Sequence, residues 1–169
     1  TDTLDITGEV LETAPYSSVT MAELLKAVND YSGWIDQIPP KYSAIRVNGR
    51  RAYDLARSGQ EVEIPSRRVF IEDIKASDID LDRGTLAIDV VCSGGTYVRT
   101  ICDDIGRALG CGATMTKLVR PSCGMFSIED SIDLNQLMEM DQEMARGLLK
   151  PMDKTLNNLG SLDLREDRI

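Results

Sequence analysis

The chain contains no histidine. That excludes His-based general acid–base catalysis, Ser-His-Asp triads and every His-ligated metal centre. Aromatic residues are scarce, at 5%, and no apolar run approaches the ~18 residues that a bilayer span requires. Nothing near Thr1 resembles a secretory signal, so the expected location is the cytoplasm, with no membrane partner. The cysteines, Cys92, Cys102, Cys111 and Cys123, include no C-x-x-C pair. Without histidine partners a zinc site would need all four as ligands, and the close pairs such sites use are missing. They read as buried or half-buried free thiols in a reducing compartment. Neither G-x-x-x-x-G-K-[ST] nor G-x-G-x-x-G occurs, which removes the two common nucleotide-binding fingerprints.

What is present is an ordinary globular composition: 169 residues, 42% apolar and 28% charged. At about 100–200 residues per domain, one domain is the simplest expectation. The chain opens on Thr1 rather than Met, and a piece of a longer protein is expected. The net charge of −9 is unevenly spread. Residues 41–68 carry Lys41, Arg46, Arg50, Arg51, Arg57, Arg67 and Arg68 against Asp54, Glu61 and Glu63, a local charge of +4, and residues 94–120 are at +2. Two basic segments in an acidic chain can neutralise several phosphates. They are equally compatible with a solvated face whose arginines pair with acids elsewhere.

Thr20-Met-Ala-Glu23 has the capping-box pattern, and Leu24, Leu25, Val28 and Tyr31 follow at helical spacing until Gly33. Ile38-Pro39-Pro40 forbids helix and reads as an extended approach. Ser43–Val47 reads as a strand with Asn48-Gly49 as its turn, and Ala52–Arg57 as a short helix closed by Gly59. Residues 61–64, 68–76 and 85–92 alternate as half-buried strands do. Val98, Ile101, Ile105 and Leu109 make one buried helical face. Further strands are expected at 115–119 and 125–128, and helix over the Leu- and Met-rich remainder from Leu134. Neighbouring strands joined by short turns make the class α+β.

The sharpest local feature is Cys92-Ser-Gly-Gly-Thr-Tyr-Val-Arg-Thr100. A strand ends in two glycines and a helix begins, leaving free N–H groups at a positive helix end that suits an anion. A purely structural junction uses the same letters. Arg99 gains nothing from the helix dipole there, so it faces solvent or meets an anionic partner. Adjacent Asp103 and Asp104 point about 100° apart, so one of them faces solvent. Pro40-Lys41-Tyr42-Ser43 reads either as a recognition loop or as a rigid strand lead-in. Leu118 and Arg120 are two apart on the expected strand and would face one side.

Ile38-Pro-Pro-Lys-Tyr-Ser-Ala-Ile-Arg-Val-Asn-Gly-Arg-Arg-Ala-Tyr-Asp-Leu-Ala-Arg-Ser-Gly59 resembles the P-P-x-Y-S-A-x-K-x-x-G-x-x-x-Y-x-x-A-R-x-G signature of the bacterial tRNA pseudouridine synthase B (TruB) family. So do Cys92–Thr100, Asp104-Ile-Gly106, Leu109-Gly110, Ala113, Leu118-Val-Arg120 and Gly124-Met-Phe126, while Thr1-Asp-Thr3 resembles a segment that follows the family's catalytic strand. The resemblance implies a pseudouridine-synthase-type mixed, largely antiparallel sheet flanked by helices. It implies isomerisation of the uridine at position 55 of the tRNA T-loop, without metal or organic cofactor, by a cytoplasmic monomer whose partner is the tRNA T-arm. Residues 1–158 would be the greater part of the catalytic domain and 159–169 the start of a C-terminal extension.

By the same resemblance Arg99 pairs with the catalytic carboxylate, Tyr97 and Leu118 wall the uracil pocket, and Lys41, Tyr42 and Arg120 bind substrate. Gly94 and Val119 stand where the family usually has Lys and Arg, and Arg46 replaces a common Lys. The family's catalytic aspartate lies in a G-x-L-D motif upstream of the Thr-Asp-Thr segment, and Asp2, Asp5 and Asp36 lack that context. The chain by itself is therefore expected to be inactive. Two other readings use the same residues: a non-catalytic RNA-binding module, and a nucleotide-binding protein with Ser93-Gly94-Gly95-Thr96 as an anion nest.

Overall fold

The computed structural model describes residues 1–47, 49–59 and 63–152. They form two compact units, Thr1–Leu118 and a unit beginning at Val119. The expected boundary between residues 158 and 159 lies outside the described residues.

Helix α1 (Met21–Asn29) starts on the capping box that Thr20 and Glu23 form: the Glu23 N–H donates to Thr20 Oγ1, and the Thr20 N–H donates to Glu23 Oε2. The chain then turns at Gly33 (φ +91°) into β1 (Gly33–Gln37), a strand not anticipated from the sequence. After the buried Pro39 and Pro40 come the two-residue strands β2 (Arg46–Val47) and β3 (Arg50–Arg51), then α2 (Ala52–Arg57). β2 and β3 pair antiparallel with Gly49 (φ +81°) in their turn; Asn48 lies outside the described residues. Of the strand expected at 61–64, residues 61 and 62 lie outside the described residues, and 63–64 have no regular structure.

Strand β4 (Arg67–Asp80) is the centre of the sheet. It pairs antiparallel with β1 on one side, Gly33 opposite Ile71 and Gln37 opposite Arg67, and with β5 (Thr85–Cys92) on the other. Bulges near Glu72 and Asp78 interrupt the β5 ladder, and Asp78 adopts φ +47°. Helix α3 (Val98–Ala108) follows β5 through Ser93–Tyr97. The core is the meeting of α1 (Leu24, Ala27, Val28), β4 (Ile71, Ile74) and α3 (Ile101, Ile105), and neither Ile71 nor Ile101 retains any solvent exposure. Each such isoleucine contributes about 1.5–3 kcal/mol through burial. The family resemblance implies a mixed, largely antiparallel sheet; among the described residues the ladders are antiparallel, and the parallel pairing is the isolated bridge from Asp5 to Met115.

Gly106 makes a close approach within this unit. A Cβ built on it would lie 2.1 Å from the Ala113 backbone nitrogen, and its carbonyl accepts from the N–H groups of Cys111 and Gly112. Only glycine fits where α3 meets the returning chain.

Further expectations are corrected. Of the strand expected over Ser43–Val47 only Arg46–Val47 forms, because its partner β3 offers a ladder of two residues. Residues 115–119 are not a strand; among the described residues the Asp5–Met115 bridge is their one β pairing, because a Val- and Leu-containing run forms a strand only with a partner ladder. Strand pairing at 125–128 is confined to Phe126–Ser127 (β7), which pairs with Ser122–Cys123 (β6), and Ile128–Asp130 is a 3₁₀ turn. Cys92 and Cys123 are exposed rather than buried, and only Cys102 and Cys111 are half-buried. In the second unit α4 (Leu134–Glu139) and α5 (Gln142–Gly147) are capped by the carboxylates of Asp133 and Asp141. Among the described residues no helix is long and apolar enough to cross a membrane.

Candidate active site

The β5–α3 junction is held mainly by hydrogen bonds between side chains and backbone rather than by a helix cap of the usual kind. Ser93 exchanges bonds with Phe70 of β4: its N–H donates to the Phe70 carbonyl at 2.8 Å, and its Oγ accepts from the Phe70 N–H at 2.9 Å. Gly95 supplies φ +88°, and Thr96 Oγ1 donates to the Ser93 carbonyl at 2.9 Å. Tyr97 is the N-cap of α3, with φ −103° and ψ 102° and no side-chain cap bond. Its own N–H and C=O are both taken by one side chain, the buried amide of Gln37 at the end of β1. The Tyr97 N–H is therefore not free to bind an anion, which narrows the nest expected from the glycines.

Arg99 is half-buried and meets neither solvent alone nor a carboxylate. Its Nη1 donates to the Thr3 carbonyl at 3.4 Å and its Nη2 to the Tyr42 carbonyl. The guanidinium carbon lies 5.9 Å from the centroid of the Tyr97 ring, within cation–π range. Among the described residues Arg99 forms no ion pair. Three segments thus converge on one guanidinium: the N-terminal loop, the Lys41–Ser43 turn and the start of α3.

Each of these segments is held in its own way. Leu4 adopts φ +61°, a left-handed conformation that bulky residues rarely take. The loop is tied to the returning chain by Ile6 N–H to the Met115 carbonyl at 2.9 Å and by Thr1 Oγ1 against Thr114 Oγ1 at 3.0 Å. Asp5 accepts from the Thr7 N–H at 3.0 Å and its hydroxyl at 2.7 Å. The Thr7 N–H, the Thr7 hydroxyl and, more weakly, the Arg99 charge hold the Asp5 carboxyl below its usual range. Asp2 accepts from the Glu9 N–H. Tyr42 packs edge-on against Tyr53 of α2 at 6.1 Å. Partial burial, then the Asp2 charge and a hydrogen bond to Asp2, push the Tyr42 phenol up.

The structure therefore brings Arg99, Tyr97 and Tyr42 together. Lys41 is exposed at the same turn. Leu118 is 52% exposed and lies in a segment without regular structure. Arg120 is exposed in the second unit, so the shared strand face expected of Leu118 and Arg120 is not formed. Of the acidic pair neither is exposed, against the expectation that one faces solvent: Asp103 is half-buried and accepts from Arg107 Nε at 2.7 Å, and Asp104 is half-buried, its carboxyl raised by burial and then by the Asp103 charge. Two buried hydroxyls, Ser43 Oγ and Thr100 Oγ1, lack partners among the described residues. Their neighbours in the chain are the two ends of the Arg99–Tyr42 hydrogen bond. No group of three acidic or thiol side chains is arranged to hold a metal ion among the described residues.

An antiparallel-sheet domain with an arginine held at a strand–glycine–helix junction defines the class structurally. Its backbone superposes on one chain of a crystal structure of a Cbf5-Nop10-Gar1 complex with a TM-score of 0.62 and 25% identity, covering 85% of this chain and 40% of that one. The particular family follows from two family models. The N-terminal domain model of the TruB family pseudouridylate synthases matches residues 1–98, and the tRNA pseudouridylate synthase B C-terminal domain model matches residues 99–157. The chain belongs to the TruB family. It is 43% identical over 170 residues to the tRNA pseudouridine synthase B of Nitrosococcus oceani and 40% identical over 166 residues to that of Clostridium perfringens. It covers 99% and 98% of itself in these matches but 54% and 55% of the relatives, so it spans about half their length.

The residue that sequence reasoning missed is Gln37. It is 2% exposed and holds the backbone of Tyr97. The letters of G-x-L-D also occur at Gly160-Ser161-Leu162-Asp163, at the far end of the chain from the Thr-Asp-Thr segment and outside the described residues.

Proposed function

We propose that this chain forms the greater part of the catalytic domain of a cytoplasmic tRNA pseudouridine synthase. It would act as a monomer, without metal or organic cofactor, on the uridine at position 55 in the T-arm of tRNA. The observation that carries the reading is Arg99, a half-buried cation held by carbonyls beside an aromatic ring, with no carboxylate of its own among the described residues. Buried charge is costly until it is paired, so this arrangement suits an incoming carboxylate. The bidentate fork of arginine orients such a group as lysine could not.

In the reaction the target nucleotide leaves its stack, the N1–C1′ bond breaks, the uracil turns over, C5 joins C1′ and gives up its proton, and N1 gains one, so that the product is an isomer of the substrate. Arg99 would keep the family's catalytic aspartate ionised and aimed at C1′. Tyr97 and Leu118 would hold the uracil by face contacts, which let it rotate more readily than fixed hydrogen bonds would. Lys41, Tyr42 and Arg120, with the basic stretch from 41 to 68, would meet the RNA backbone. Asp2, Asp5 and Asp36 lack the motif context of the family's catalytic aspartate, so the present chain alone should not turn over uridine.

The test uses a full-length form of the protein and a T-arm stem-loop. Arg99→Lys and Arg99→Ala should cut the single-turnover rate at least about tenfold, since unpairing a buried charge costs about 3–5 kcal/mol and about 1.4 kcal/mol is one decade. RNA affinity should change little. Arg107→Ala, which alters an exposed side chain paired with Asp103, should leave both unchanged. If Arg99→Ala and Arg107→Ala weaken RNA binding alike while the rate persists, Arg99 is a phosphate contact. RNA binding with no turnover by the unaltered protein would favour the non-catalytic binding module.

A further inference from the structure

Gln37 presents both ends of its amide to one residue. Its Oε1 accepts from the Tyr97 N–H at 2.7 Å, and its Nε2 donates to the Tyr97 carbonyl at 3.1 Å. This is the pair of bonds a neighbouring strand would offer, supplied by a side chain at the point where β1 ends. The same Tyr97 carbonyl accepts the first helical bonds of α3, from the N–H groups of Thr100 at 3.0 Å and Ile101 at 3.2 Å. Gln37 thus holds the residue on which α3 is seeded.

Five residues beyond Gln37, the Tyr42 carbonyl accepts from Arg99. Between these contacts stand Pro39 and Pro40, both buried, with ring-fixed φ and no N–H. One short, stiff stretch therefore touches the start of α3 at two points, Tyr97 through Gln37 and Arg99 through Tyr42. Loss of the first contact would let the Tyr97 backbone turn and carry its ring away from the guanidinium.

We propose that Gln37 is a positioning residue that sets the orientation of Tyr97 and Arg99 in the uridine pocket. The inference rests on the functional reading above, and two measurements separate its failure from the failure of that reading.

The first needs no turnover. With 3-fluorotyrosine incorporated, Tyr97 should give one sharp fluorine resonance in the unaltered chain. Gln37→Met, of similar length but without hydrogen bonds, should broaden or split it while the Tyr16 resonance stays fixed. An unchanged Tyr97 signal would overturn the proposal whatever the reaction.

The second uses a full-length form and a T-arm stem-loop. Gln37→Met should lower the single-turnover rate about tenfold at saturating RNA, with Kd for RNA changed less than about twofold, because it takes the acceptor from the Tyr97 N–H, while the Tyr97 carbonyl keeps its helical donors, and so disturbs geometry rather than charge. Gln37→Glu sharpens this. Its ionised carboxylate can accept from the Tyr97 N–H but cannot donate to the carbonyl, whereas the protonated acid can do both. Relative to the unaltered protein at each pH, Gln37→Glu should recover rate as pH falls, and Gln37→Met should not. If both variants keep full rate while Arg99→Lys loses it, the positioning role is wrong and the functional reading stands. If Arg99→Lys keeps full rate too, the functional reading itself fails.

Discussion

Val28, Ile71 and Ile101 of the first unit keep 1% or less of their exposure, whereas Leu134 and Met138 of α4 keep 67% and 76%. None of the described residues from 119 to 152 is buried. The two regions draw on the same kinds of side chain. What differs is whether an element meets a complementary one: α1 and α3 share a cluster with β4, while α4 and α5 rest on caps from Asp133 and Asp141. Helices of six residues are marginal by themselves, so local caps carry more of their stability than of an eleven-residue helix packed on a sheet. Periodicity makes a helix possible; a partner surface makes it part of a core.

The comparison breaks most directly by truncating one apolar residue in each region. Ile101→Ala should cost about 2–5 kcal/mol in urea unfolding, since it empties a fully buried site. Met138→Ala should stay within about 0.5 kcal/mol. Equal losses would mean that the second region has a core of its own.

This division also explains what could be read from the letters. The capping box of α1, the alternation of β4 and β5 and the apolar face of α3 are local patterns, and each was legible. β1 was not, because Gly33-Trp-Ile-Asp-Gln37 is too short to show a pattern, with Gly and Asp beside its Trp and Ile, and becomes a strand only by pairing with residues far along the chain, Gly33 with Ile71 at one end and Gln37 with Arg67 at the other. The reverse error at 115–119 has the same origin, since strand-forming residues there lack a ladder. In the candidate site Arg99, Tyr97 and Tyr42 were legible through motif resemblance. Gln37 was hidden with its strand. Once β1 is known, Ile35 and Gln37 alternate inward, and a glutamine on the buried side of a strand demands a polar partner.

A second-largest effect is expected at Gly106. An alanine methyl would meet the Ala113 backbone nitrogen at 2.1 Å, and backbone cannot step aside as a side-chain tip does. Gly106→Ala should cost about 1–3 kcal/mol, whereas Gly147→Ala in α5, whose added methyl would meet nothing within 4 Å, should be neutral or slightly stabilising. Paired thermal melts check both. Removing a cap is smaller again. Asp133→Ala should cost α4 about 1 kcal/mol, seen as faster amide exchange over Leu137–Met140 with exchange in α1 unchanged.

The smallest effect concerns pH, and it belongs to the first unit because burial is what shifts the titration. Asp104 is half-buried on α3, and its carboxyl is raised above 3.8 by burial and then by the Asp103 charge, with Arg107 opposing. Its ionised form also helps push the Tyr31 phenol up, after burial. The folded chain therefore binds the Asp104 proton more tightly than the unfolded chain does. Stability linked to this group is greatest below pH 3.8, falls as pH rises to the folded value, and stays at its lower level above it. Asp104→Asn removes the charge that costs stability, so it should raise Tm by about a degree or two at pH 7. That gain should shrink as pH falls toward 3. Melts of both chains across that range provide the check. A gain of the same size at pH 3 and pH 7 would show that packing, not ionisation, is at work, and a loss at pH 7 would show that the Asp104 carboxylate has a stabilising partner.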